Sequence, residues 1–92
     1  MERLSRLEAA LEQSLDHVDL WGEHAAIRSI IIQLEYLIGL ETGRTQDRSP
    51  IRDISIGVLA AREIEGRDVA LAQLLHAVAD DVKRADRQRG SV

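Results

Sequence analysis

The residues able to do metal or covalent chemistry in this 92-residue chain are few and scattered. Its histidines are His17, His24 and His76, with Asp16 beside the first and Asp80 one helical turn after the last. A closed metal site needs about four ligands, commonly cysteine or clustered histidine. The chain has no cysteine and no Glu-x-x-His pair. No metal is therefore expected, and the histidines read as surface or boundary residues. The missing cysteine also removes a disulfide frame and fits a reducing compartment. No serine sits in a Gly-x-Ser-x-Gly setting, and there is no Gly-rich phosphate loop. Asp80-Asp81 and Glu63/Glu65 are near neighbours along a helix. Such pairs do not face one another, so they make no acid–base dyad. A bundle this small also lacks a sizeable pocket. The expectation is a protein that is not an enzyme and needs no cofactor.

The sharpest pattern is electrostatic. Glu8, Glu12, Asp16 and Asp19 recur at spacings of four, four and three on the first helix. Like charges so placed cost a few tenths of a kcal/mol each. The pattern is either a solvated face or a surface for an electropositive partner, whose encounter it would speed. Net charge is −4. Residues 1–43 carry eight acidic and three basic side chains, against eight and nine in 44–92. An acidic front half repels phosphate and argues against nucleic-acid binding. No apolar run approaches the ~20 residues of a membrane span, and the polar amino terminus does not resemble a signal peptide. A cytoplasmic protein is expected.

The elements that must position these residues are helical. Trp21 and Tyr36 are the only aromatics, so the core must be aliphatic, and runs of period two are few. A first helix over about 2–18 carries the stripe Leu4, Leu7, Leu11, Leu15 and Val18, with Gly22 as its stop and Trp21 as a plug over the bundle end. A second over about 23–41 has two apolar faces: Ile27, Ile30, Ile31, Leu34, Leu37 and Ile38 on one side, Ile32, Tyr36 and Leu40 on the other. Both must be buried, in the bundle or against another chain. Tyr36 needs a partner for its hydroxyl and suits a boundary between core and water. The polar link Thr42–Ser49, including Arg44, Asp47 and Arg48, is short enough to make its flanking helices antiparallel neighbours. Ser49-Pro50 then starts a third helix over about 50–65, with Ile51, Ile54, Val58 and Ala61 as its main stripe. Gly57 within it suggests close approach of another backbone. Asp68 is the expected N-cap of a fourth helix over about 69–84, striped by Leu71, Leu74, Leu75, Val78 and Val82. The expected fold is all-α: a compact bundle of four helices around a central antiparallel helical hairpin, one domain over 1–84 with a fraying tail over 85–92.

Gln33-Leu34-x-Tyr36, then Asp47-Arg48-Ser49, then Ile56-Gly57 and Ala60-x-x-Glu63 follow in an order that is similar to one family, with a weaker echo at Asp68 and Leu71. The chain resembles the small helical immunity proteins that bacteria keep against their own type VI secretion effectors, in particular those that neutralise NAD(P)+ glycohydrolase effectors. The resemblance covers roughly residues 28–75. It implies a stoichiometric inhibitor that binds a cognate effector toxin domain and blocks its active cleft, the toxin being an NAD(P)+ glycohydrolase or another adenine-nucleotide-targeting enzyme. A nucleotide cleft should be basic, which matches the acidic stripe. The candidate toxin-binding residues are Glu8, Glu12, Asp16, Asp19, Tyr36, Asp47, Arg48 and Glu63. The alternative is a self-associating helical adaptor or regulator, paired through Ile32, Tyr36 and Leu40 as a homodimer.

Overall fold

The computed structural model describes residues 2–90, with side chains placed for 3–85. The architecture is all-α: helix α1 (Glu2–Trp21), helix α2 (Ala25–Thr42), a 3-10 turn (Ser49–Asp53), a short helix α3 (Ile56–Leu59) running directly into a π-helical turn (Ala60–Ile64), and helix α4 (Val69–Gly90). No helix among the described residues is long and apolar enough to cross a membrane. Helix α1 lies antiparallel to both α2 and α4. Arg3 near its start pairs with Glu41 at the end of α2, and Arg6 pairs with Asp81 in the second half of α4. His17 near its end meets His24 and Asp68, which precede α2 and α4.

The buried face of α1 is rotated from the expected leucine stripe. It runs through Leu7, Ala10, Ser14 and His17, while Leu15 is 50% exposed. Small residues at 10 and 14 allow α2 and α4 to approach closely, and the Ser14 hydroxyl satisfies itself by donating to the Ala10 carbonyl at 2.8 Å. On α2 the main stripe is buried as expected at Ile27, Ile30, Leu34 and Leu37. Its second face is not: Ile32 is 59% exposed, and Tyr36 and Leu40 are half-buried.

The third helix is the largest departure. The 3-10 turn ends at Ile54, whose extended backbone (ψ 121°) breaks the helix before it restarts at Ile56. The expected stripe is lost: Val58 is 57% exposed, and the buried residues are Ile56, Ala60 and Ile64. Steps of four drift around an α-helix of 3.6 residues per turn. The wider π turn, closed by the Glu65 amide donating to the Ala60 carbonyl at 2.9 Å, keeps Ala60 and Ile64 on the core side. Ser49 is not the helix cap. The Asp47 carboxylate instead accepts from the Ser49 amide at 3.0 Å and hydroxyl at 2.7 Å, an Asx-type turn.

Gln33 stabilises the break from the opposite helix. Its carbonyl oxygen accepts from the Ser55 amide at 2.7 Å, and its amide donates to the Ser55 hydroxyl at 3.0 Å. We expect Gln33→Ala to cost about 1–3 kcal/mol, the usual penalty for stranding such groups, read as a lower urea midpoint. Gly57 packs tightly, as expected, but against a side chain rather than a backbone: a Cβ there would sit 3.1 Å from that of Ala79 on α4.

Gly22 ends α1 at φ 83°, its amide donating to the Val18 carbonyl at 2.8 Å. The helix reaches Trp21 and leaves that residue 51% exposed, so it is no plug. The Arg67 guanidinium lies 5.8 Å from its ring centroid. Asp68 caps α4 as expected, accepting from the Leu71 amide at 3.1 Å. Helix α4 is drawn on to Gly90, past the end of its apolar stripe, since residues 84–89 hold no glycine or proline to stop it. Ser91 and Val92 of the expected tail lie outside the described residues.

Candidate protein-docking site

The eight candidate residues fall into three places. Glu8 and Glu12 stand on the exposed side of α1 and, with Glu35 of α2, rim a shallow groove of about 410 Å³ floored by Leu11, Leu15 and Ile38. Arg44 is the one cation on this rim. Asp16 and Asp19 continue the exposed acidic side of α1 toward Trp21, beyond the groove. Three carboxylates around an apolar floor suit a partner surface that brings a basic rim and an apolar centre. Sequence reasoning gave Leu15 and Ile38 to the core and passed over Glu35. Glu35 lies three residues before Ile38, so both face the same way on α2. That spacing was the available signal, but only the α1–α2 packing brings it beside Glu8 and Glu12.

Tyr36, Asp47 and Arg48 form the second place, near the start of α1. The Tyr36 hydroxyl donates to the Asp47 carbonyl at 2.5 Å and fastens the loop to α2. Burial, then the Asp47 charge, pushes the Tyr36 hydroxyl above its ordinary range, with Arg48 pulling the other way. The Ser49 hydroxyl and amide hold the Asp47 carboxyl below the usual carboxylate range. Arg48 lines a separate cavity of about 200 Å³ with Arg3, Leu7, Leu37 and Asp81. We expect Tyr36→Phe to cost about 0.5–1.5 kcal/mol and to speed amide exchange over residues 42–49. A loop with unchanged exchange would show that this hydrogen bond does not hold it.

Glu63, in the π-helical turn, is the third. It lies at the opposite end of the bundle, where its charge acts on His24. Of the two histidines at this end, expected at the surface or the boundary, His24 is half-buried and only His17 departs. His17 is fully buried, and its Nε2 lies 3.2 Å from His24 Nε2. His24 is the unforeseen N-cap of α2: the Ile27 amide donates to its Nδ1 at 3.3 Å. An Nδ1 that accepts requires the proton on Nε2, which leaves no lone pair there for a metal. Among the described residues no three His, Cys, Asp or Glu side chains gather to hold a metal ion.

By its geometry the chain is a small all-α bundle with an open, acid-rimmed groove between α1 and α2. The family is specific: the chain belongs to the Tsi6 family, whose model matches residues 3–84. This bears out the resemblance to type VI secretion immunity proteins carried by Gln33 through Glu63. The fold is similar to a chain in the structure of Tse6 in complex with Tsi6 (TM-score 0.86, 23% identity, covering 96% of this chain and 94% of that one). It is also similar to the structure of Tsi6 from Pseudomonas aeruginosa (TM-score 0.77, 23% identity, covering 85% and 91%). No curated protein matches the sequence.

Proposed function

We propose that this chain is a non-enzymatic immunity protein that binds a cognate secreted toxin domain in the cytoplasm and blocks its active cleft. The observation that carries this reading is the likeness, over 96% of the chain, to a chain of the structure of Tse6 in complex with Tsi6. The acid-rimmed groove between α1 and α2 is the face we assign to the toxin. Glu8 and Glu12, continued by Asp16 and Asp19, steer it toward a basic cleft, and Leu11, Leu15 and Ile38 supply the apolar contact. A basic cleft suits an enzyme acting on NAD(P)+ or another adenine nucleotide, whose phosphates it must hold. Tyr36, Asp47, Arg48 and Glu63 lie outside this groove; the first three shape the loop beside the start of α1.

Co-expression with the cognate effector's toxin domain tests the proposal. Rescue of growth and recovery of a stable complex are expected, together with suppression of NAD(P)+ consumption by that domain. Rescue without any NAD(P)+ consumption by the free toxin would keep the immunity role and overturn the substrate. Failure to rescue or to bind would overturn the immunity role. The exposure of Ile32 favours a second reading, self-association through the outer face of α2. Sedimentation of the isolated protein separates the two, since Ile32→Lys should dissociate such a dimer and leave a monomer unchanged.

A further inference from the structure

The end where α1, α2 and α4 meet carries a chain of polar groups outside the groove assigned to the toxin. The Ile27 amide donates to His24 Nδ1 at 3.3 Å. His24 must then carry its proton on Nε2 and donate to His17 Nε2, 3.2 Å away. His17 in turn carries its proton on Nδ1, facing the Asp68 carboxylate at 3.5 Å. That nitrogen is buried and makes no hydrogen bond; the carboxylate faces it at ion-pair range only. Asp68 also caps α4 through its other oxygen. One directional line of polar groups thus runs from the start of α2 through the end of α1 to the start of α4, two hydrogen bonds followed by the approach of His17 to the Asp68 carboxylate.

The line has no place for an extra proton. On His24 Nδ1 it would oppose the Ile27 N–H and abolish the α2 cap. On His17 Nε2 it would oppose the His24 N–H, unless His24 moved its own proton to Nδ1 and again lost the cap. We propose that His24, His17 and Asp68 form a protonation-sensitive latch, in which uptake of one proton unfastens the Gly22–Ile27 junction from α4. This rests on the geometry of the chain itself and stands whether or not the toxin reading holds.

The charged groups facing the pair differ in sign, and the Asp68 carboxylate faces His17 from the start of α4. Arg67, from the turn before α4, opposes a cation at His24, and Glu63, from the π-helical turn, favours one. Burial, then His17, then Arg67 outweigh Glu63 and hold His24 below its ordinary 6.5. A depressed histidine binds fewer protons folded than unfolded just below pH 6.5. Stability is therefore full above that value and is lost as pH falls through it.

The test uses the whole chain. Imidazole nitrogen NMR at pH 7.5 should find His24 protonated at Nε2 and His17 at Nδ1. Lowering the pH should weaken protection of the Ile27 amide by about tenfold per unit once proton uptake begins, after correction for intrinsic exchange. His24→Asn keeps a good cap without a titrating group, so it should remove most of the difference in urea midpoint between pH 7.5 and 5.5. The opposite tautomers in the wild type, or an Ile27 amide indifferent to pH, would overturn the latch even if the variant failed to fold. An unchanged pH difference in a folded His24→Asn protein would do the same.

Discussion

Reversing Glu12 and Asp16 to lysine is expected to slow association with the toxin domain by about tenfold or more at low salt, with a smaller effect on dissociation. The two residues lie one turn apart on the exposed side of α1, and Glu12 rims the α1–α2 groove. Exchanging two carboxylates for two ammonium groups moves the local charge by four units. The field of such a stripe acts over about 8 Å at physiological ionic strength. The wild-type on-rate should therefore fall steeply with salt, and that of the reversed protein should not. Stopped-flow association at two ionic strengths reads both effects. Equal on-rates would mean that the stripe is only a solvated face. Leu15→Ala completes the experiment. It removes half-exposed groove floor, so it should speed dissociation while leaving the on-rate alone.

Leu34→Ala should be among the most damaging single truncations for stability. Leu34 is fully buried on α2 within the main core cluster, among residues of α1, α2, α4 and the segment between Ile56 and Ile64. Large-to-small changes at such sites cost about 2–5 kcal/mol, transfer and cavity terms together. A domain of this size has about 5–15 kcal/mol in total, and each kcal/mol moves the melting temperature by about 4–8 °C. A fall of roughly 10–30 °C is expected by calorimetry. Leu15→Ala should move it by less than about 5 °C, because half of that side chain is already in water. If the two substitutions cost the same, the face that α1 turns inward is not the one running through Leu7, Ala10, Ser14 and His17.

That contrast marks how far the sequence is legible. The leucines of α1 and its small residues occupy neighbouring angular positions, and hydrophobicity alone chose the leucines. Packing chose Ala10 and Ser14, since a second helix can approach closely only where side chains are short. The acidic stripe was legible because charge at helical spacing needs no partner to be seen. The groove it borders was not, because Glu35 and Ile38 come from another helix and their position depends on how α2 crosses α1.

Taken alone, the sequence determined an all-α chain, the main buried stripe of α2, the stop at Gly22, the cap at Asp68 and the close packing at Gly57. It also carried, from Gln33 to Glu63, the resemblance to the family whose model matches residues 3–84. These are local matters: the torsional freedom of one glycine, one carboxylate beside its own helix, and a period counted along one element. Only the tertiary structure decided the rest. The third helix breaks where Gln33, 22 residues earlier, satisfies the Ser55 amide. His17 is buried where His24 meets its Nε2 and the Asp68 carboxylate faces its Nδ1, both arriving from other elements. Trp21 stays in water because the end of α1 finds Arg67 rather than the core. In each case the deciding group is distant in sequence, so its effect exists only once the chain has folded.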